Sequence, residues 1–240
     1  MKTIADPPRR GKLRLAVLIS GRGSNMAAIT RSCQSGRIDA EVAIVISDRA
    51  DAPGIAVADA LGVITAAIEP GGFEDRSAFE TALAAAIDAS GASLVALAGF
   101  MRILSAAFVQ RYTGRLLNIH PSLLPKYKGL HTHRRALEAG EREHGASVHF
   151  VTAELDGGPV ICQGRVRVQP GESEEGLAGR VMLQEHRIYP MVIGLIAAGR
   201  LELRGATVML DGRALRAPLV ADGAENGADR IPPVSGDAPA

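Results

Sequence analysis

Aromatic side chains are scarce in this 240-residue chain: they make up 3% of it, and there is no tryptophan. Single-stranded nucleic acid is held largely by stacking bases on aromatic platforms, so that class of partner is disfavoured. No charge of one sign dominates either, with 27 basic residues against 26 acidic ones and a net charge of +1. Neither a basic stripe for DNA or RNA nor an acidic solvating block stands out. Only two cysteines occur, Cys33 and Cys162, too few for a disulfide framework and without metal-ligand spacing. They read as buried free thiols in a reducing compartment. No apolar run approaches the ~20 residues of a membrane span. The polar, Pro- and Arg-containing start has no apolar h-region, so it is not read as a signal peptide. The expected location is the cytoplasm, and no nucleic-acid or membrane partner is expected.

What is present is a large aliphatic content within 47% apolar residues, enough for a sizeable core. Residues 1–12 read as a flexible extension, 13–217 as one domain, and 218–240 (PLVADGAENGADRIPPVSGDAPA) as a disordered tail. Within the domain, strands and helices alternate. LRLAVLIS (13–20) and Val42 to Ile46 read as strands buried on both faces. Between them Met26, Ile29, Thr30 and Cys33 share one face of a helix that Gly36 stops. Further expected elements are a short helix at 54–61, a strand at 63–67, a long helix at 73–89, strands at 94–97 and 115–119, and a helical turn at 105–110. Such alternation predicts an α/β fold with a doubly wound, mostly parallel central sheet. Strand-like segments at 147–151 and 160–168 flank the turn LDGGP and predict an antiparallel addition in the C-terminal half. A long helix over 174–199, broken or bent at Pro190, follows.

Strand one runs into Gly21-Arg22-Gly23-Ser24-Asn25 and then a helix. Free N–H groups and the positive end of the helix dipole make such a junction an anion site. A dinucleotide fingerprint would need a third glycine where Met26 stands, although Asp48 after strand two would suit a ribose. A Walker A loop fails, since no Gly-Lys-Ser/Thr follows. A single phosphate of a mononucleotide fits best. A plain strand-to-helix turn capped by Ser24 accounts for this loop about as well when it is judged alone.

The most informative segment is LNIHPSLLP, 117–125. It begins at the end of a buried strand, and alternation puts Asn118 and His120 on one side with Ile119 opposite. The carboxyl edge of an open α/β sheet is where ligands bind. An amide there can donate to a developing oxyanion, and a histidine can move a proton. Either residue alone is more often structural. Asp156, in ELDGGP, sits by default in a tight turn. If that turn folds over the sheet edge, its carboxylate can orient His120. On the last helix, Leu177, Val181, Ile188, Val192 and Ile196 form an apolar stripe, and Glu185 falls inside it. A buried carboxylate needs a partner: a salt bridge at the stripe's edge or a ligand. His131 and His133 lack metal-ligand companions, and His144, His149 and His186 read as structural or without a clear role.

Taken together, VLISGRGSN, LAGFMRIL, LLNIHPSLLPKYKGLHTHRRAL, SVHFVTAELDGGPVI and QEHRIYP resemble the phosphoribosylglycinamide formyltransferases over roughly residues 13–215. The resemblance implies a Rossmann-like formyltransferase fold. It also implies transfer of the formyl group of 10-formyltetrahydrofolate to the amine of glycinamide ribonucleotide, a step of purine synthesis. No metal is implied, and the protein would act as a monomer or homodimer. Residue by residue, it implies that Asn118 holds the formyl oxygen, His120 is the acid/base, and Asp156 supports His120. Gly23, Ser24 and Asn25 would hold the nucleotide phosphate, and Glu185 would meet the ribose or glycinamide end. Met101, Arg102, Ile103 and Leu104 would line the folate pocket, and Arg76 is similar to a folate-contacting arginine. The chain departs from the family at Lys128, where proline is usual. Methionyl-tRNA formyltransferases and formyltetrahydrofolate hydrolases share the Asn-x-His…Asp pattern, but each has a further domain for which these 240 residues leave no room.

Overall fold

Leu15 to Ile19 form an unbroken apolar run, every residue of it buried. Such a run has no solvent face to offer, and it forms the middle of a sheet covered on both sides. The computed structural model describes residues 11–221. Its elements are β1 (Leu13–Ile19), α1 (Ser24–Gln34), β2 (Ala40–Ser47), α2 (Pro53–Ala60), β3 (Thr65–Ala67), α3 (Arg76–Ala89), β4 (Leu94–Leu97), α4 (Ala106–Arg111), β5 (Leu116–His120), α5 (Thr132–Glu138), β6 (Glu143–Phe150), β7 (Val160–Arg167), α6 (Glu174–Ala197), β8 (Leu201–Arg204), β9 (Thr207–Leu210), β10 (Arg213–Ala214) and β11 (Leu219–Ala221).

Eight strands form one sheet in the order β11-β7-β6-β5-β4-β1-β2-β3, and β8, β9 and β10 form a small second sheet. Strands β1 to β5 are mutually parallel, while β6 runs antiparallel to both β5 and β7. This is the doubly wound, mostly parallel sheet with an antiparallel addition that the alternation predicts. Side chains alternate across β1. Leu15, Val17 and Ile19 join a core with Met26 and Ile29 of α1 and Val181 and Ile188 of α6. Ala16 and Leu18 join a second core with Phe79 and Leu83 of α3 and Phe108 of α4. The result is three layers, with the parallel strands ending along one edge.

Several expectations are corrected. The helix expected from Phe73 begins at Arg76, because the Asp75 side chain caps it by accepting from the Ala78 N–H at 2.8 Å. Helix α6 is continuous through Pro190, with no break there. Its Tyr189 hydroxyl lies 3.1 and 3.2 Å from the carbonyls of Leu97 and Leu117, which pins the helix beneath β4 and β5. The tail expected from Pro218 does not start there. Leu219 to Ala221 form β11, paired in parallel with β7, and the remaining residues read as tail, 222–240, lie outside the described residues, as do 1–10 of the N-terminal extension. Helix α5 and the small sheet β8–β10 are absent from the sequence reading. Both cysteines are buried free thiols, and burial pushes Cys33 up to about 11 and Cys162 up to about 12. Among the described residues, no helix is long and apolar enough to cross a membrane.

Candidate active site

The last residues of β5 face β6 in antiparallel register, with Asn118 opposite His149 and His120 opposite Ser147. The Asn118 amide nitrogen lies 3.2 Å from His149 Nε2. His149 Nδ1 is 2.9 Å from the carbonyl oxygen of Phe150. A carbonyl only accepts, so Nδ1 carries a proton there. Burial lowers the pKa of His149, against the pull of that carbonyl and of Asp156, and favours the neutral ring. Its Nε2 is then an acceptor, and Asn118 donates one of its two N–H groups to it. The second amide N–H of Asn118 is left for a ligand oxygen. Sequence reading assigns His149 a structural role; the structure puts it in the centre of the site. The signal that finds it is the antiparallel pairing, which a single chain's composition does not reveal.

His120 is buried and flanked by oxygens on both sides. Its Nε2 donates to the Tyr127 carbonyl at 2.9 Å, and its Nδ1 lies 3.4 Å from an Asp156 carboxylate oxygen. The turn carrying Asp156 therefore does fold over the sheet edge. Asp156 adopts φ 48°, in the left-handed region, and the turn is closed tightly against β6: a Cβ on Gly158 would lie 1.8 Å from the Phe150 carbonyl oxygen. The same carboxylate accepts from the Gly129 N–H at 2.9 Å and stands 3.8 Å from His149 Nε2. One carboxylate thus joins His120 to the loop after β5 and stands close to His149.

That loop is held from below. Ser147 Oγ accepts from the Leu124 N–H and donates to the Ser122 carbonyl, and the Gln163 amide donates to the Leu124 carbonyl. The Tyr127 hydroxyl donates to Glu141 at 2.8 Å. Lys128 pairs with Glu154 at 2.7 Å across to the Asp156 turn. His131, with φ 57°, starts α5. His133 Nδ1 and His144 Nε2 are 3.2 Å apart behind the loop.

Two strands away, β1 delivers the glycine loop. Gly23, not Ser24, is the N-cap residue of α1; it is left-handed at φ 71° and supplies no side-chain cap. A Cβ there would meet the Gly54 backbone at 3.0 Å, and the Gly54 N–H donates to the Gly21 carbonyl. The loop is glycine-rich because two backbones pass closely. No acidic residue sits in the first turn of α1, so its positive end is uncompensated. Asn25 is buried and donates to Glu185 of α6 at 2.7 Å, while its Oδ1 has no partner. Burial raises the Glu185 pKa, opposed by that hydrogen bond. Glycine loop and last helix are therefore joined by this pair.

Between these two clusters runs the segment 99–104, after β4. It presents Met101 and Ile103, 69% and 70% exposed, at the edge of the site, while Leu104 tucks against the α3–α4 core. Arg76 is spent on this segment: it pairs with Glu80 at 2.9 Å and donates to the Ile103 carbonyl. Arg102 pairs with Asp48 at 2.7 Å. The ribose role open to Asp48 is thus replaced by an ion pair.

The family model for formyl transferases matches residues 13–193. The chain belongs to the formyl transferase family. Among its relatives, the phosphoribosylglycinamide formyltransferase of Escherichia coli K12 is 53% identical over 203 residues, covering 85% of this chain and 96% of the relative. That of Haemophilus influenzae is 44% identical over 202 residues, covering 84% and 95%. Among solved structures, the phosphoribosylglycinamide formyltransferase of Coxiella burnetii superimposes with a TM-score of 0.84 at 48% identity, covering 87% of this chain and 99% of the other. The formyl transferase match runs from β1 into α6 and takes in every residue of both clusters; β8 to β11 lie beyond it.

Proposed function

We propose that the edge formed by β1, β4 and β5 is where a formyl group passes from 10-formyltetrahydrofolate to the amine of glycinamide ribonucleotide, the one-carbon transfer of purine synthesis for which the bacterial relatives are named. The ribonucleotide phosphate lies against the N–H groups of Gly23, Ser24 and Asn25, and Glu185 takes its ribose or glycinamide end. The folate lies along Met101 to Leu104, with Arg76 and Arg102 behind that wall. The donor and acceptor then meet at Asn118 and His120.

The amine nitrogen attacks the formyl carbon, and the carbonyl electrons move onto oxygen. The free N–H of Asn118 is aimed at that developing oxyanion, which is where a fixed donor contributes most. Collapse of the adduct breaks the bond from carbon to N10, and His120 delivers a proton to N10. The attacking amine loses one proton, which returns to the His120–Asp156 pair. Atoms balance without a covalent enzyme intermediate. The Nδ1 contact to Asp156, at 3.4 Å, is looser than the Nε2 bond to Tyr127 at 2.9 Å, so Nδ1 is the nitrogen through which the proton passes. The observation that carries this reading is the gathering of Asn118, His120 and Asp156 in one buried cluster. We place the enzyme in the cytoplasm, consistent with its buried thiols, acting on small molecules as a monomer or homodimer.

The test is the absorbance change of a 10-formylfolate donor mixed with the enzyme, with and without glycinamide ribonucleotide. Turnover that requires the ribonucleotide is expected, and it falls by about 10²-fold or more in Asn118→Ala and in His120→Ala. Turnover without the ribonucleotide would indicate hydrolysis instead.

A further inference from the structure

We infer that Asp48 is a positioning residue for the formyl donor: by holding Arg102 it sets the place of the 99–104 segment at the sheet edge. This rests on the reading that Met101 to Leu104 form the folate wall.

Asp48 follows β2 directly, and its N–H donates to the Ile19 carbonyl at the end of β1. Its side chain is 2% exposed, whereas that of Arg102 is 48% exposed. One carboxylate oxygen takes the Arg102 Nε at 2.7 Å; the other, Oδ1, is buried and has no partner. A carboxylate so deeply placed strongly resists losing the cation it is paired with. The asymmetry matters, because the exposed partner's backbone belongs to a stretch without helix or strand, which this ion pair helps to fix. Three further contacts complete the frame. Ser20 at the end of β1 accepts from the Met101 N–H at 2.8 Å. Arg76 donates to the Ile103 carbonyl, and Glu80 accepts from the Ser105 N–H at 2.7 Å. The wall is therefore clamped from α3 on one side and from β1 and β2 on the other. Asp48 supplies a side-chain charge on the β1–β2 side of this clamp. Its strand neighbours the glycine loop, so the donor wall is referenced to the same strand ends that present the nucleotide loop.

The experiment measures Kd for tetrahydrofolate and for glycinamide ribonucleotide by calorimetry, with kcat, both KM values and the melting temperature, in Asp48→Ala, Asp48→Asn, Arg102→Gln and the Asp48→Ala/Arg102→Gln double variant. The expected result is a folate Kd and KM raised about tenfold in Asp48→Ala, with the ribonucleotide Kd changed less than about twofold. The double variant should be no worse than Asp48→Ala, because both changes remove one interaction. Asp48→Asn, which keeps an acceptor oxygen, should recover most of the loss. Arg102→Gln alters the exposed partner and keeps the test alive if Asp48→Ala does not fold. An unchanged folate Kd in folded Asp48→Ala or in Arg102→Gln overturns the inference, as does an equal loss of both ligands. Ile103→Ser separates the two failures. If it too leaves the folate Kd unchanged, the wall assignment is wrong; if it weakens folate while the Asp48 and Arg102 variants do not, only the positioning role is wrong.

Discussion

His149 Nε2 accepts from the Asn118 amide at 3.2 Å, and its Nδ1 is committed to the Phe150 carbonyl at 2.9 Å. That pair settles which end of the amide faces the site. With the ring neutral, the nitrogen end of Asn118 points toward His149, and in the proposed reading the remaining N–H faces the formyl oxygen. Replacing His149 by alanine frees the amide to rotate and present its oxygen, which repels an oxyanion. The expected outcome is a fall in kcat of about 10- to 10²-fold, with both KM values changed by much less. Steady-state kinetics check it. A loss confined to KM would mean that His149 serves binding and not amide orientation.

Glu185 and Asn25 make a second test of roles. Burial has raised the Glu185 pKa, and the Asn25 amide is its hydrogen-bond partner. Glu185→Gln keeps the shape but replaces a pure acceptor by a group that also donates, in a site where Asn25 already donates. The expected outcome is a KM for glycinamide ribonucleotide raised about tenfold or more with the folate KM nearly unchanged. Equal effects on the two substrates would remove Glu185 from the ribonucleotide site.

How far the chain could be read from residues alone follows from the range of each interaction. Asn118 and His120 were placed on one side of a strand end by alternation, a local rule that holds on β5. Glu185 stood out because a carboxylate broke an apolar stripe on α6. His149 did not stand out, since its role depends on the β5–β6 register. Asp48 suggested a ribose contact, but its partner Arg102 arrives from a loop 54 positions away. Leu219 to Ala221 lie in a Pro- and Gly-rich stretch that locally reads as tail, and they form a strand only because the edge of β7 is open to them, Leu219 beside Cys162. The missed turns of β8 to β10 belong to a sheet made of strands two to four residues long, too short for periodicity to declare.

Stability toward acid should be governed in part by the histidine pair behind the active-site loop. Burial, and then the neighbouring His133, push His144 down to about 4 from an ordinary 6.5, and burial lowers His133 as well. A histidine with a lowered folded pKa binds its proton more readily in the unfolded chain. Stability therefore falls as pH drops from about 6.5 toward 4 and is not lost further through this group below that. Urea midpoints at pH 7, 5.5 and 4.5 should decline, and His144→Gln should flatten the decline between the first two values. An unchanged slope in that variant would assign the acid sensitivity to other groups.

Lys128 lies in the loop after β5, and its ammonium pairs with Glu154 at 2.7 Å. The pair ties the loop after β5 to the Asp156 turn, but Glu154 is largely exposed. An exposed ion pair contributes about 0–1 kcal/mol, so Lys128→Ala should lower the melting temperature by no more than a few degrees and kcat by less than about twofold. Lys128→Pro tests the backbone instead, since Lys128 follows Tyr127 at φ 56°, a left-handed residue that a following proline disfavours. Here the expected loss is in kcat, because the Tyr127 carbonyl is the acceptor for His120 Nε2.

Asp156 carries the strongest prediction, because its carboxylate lies between His120 Nδ1, at 3.4 Å, and the Gly129 N–H, at 2.9 Å. Asp156→Asn keeps the size and one acceptor oxygen, so the Gly129 contact and the fold should survive, with a melting temperature close to that of the parent. It removes the negative charge that faces His120 Nδ1. If His120 is the acid that protonates N10, kcat should fall by about 10²-fold or more, with both KM values changed by much less. A kcat within about twofold of the parent's in folded Asp156→Asn would mean that Asp156 orders the loop without acting on the His120 proton.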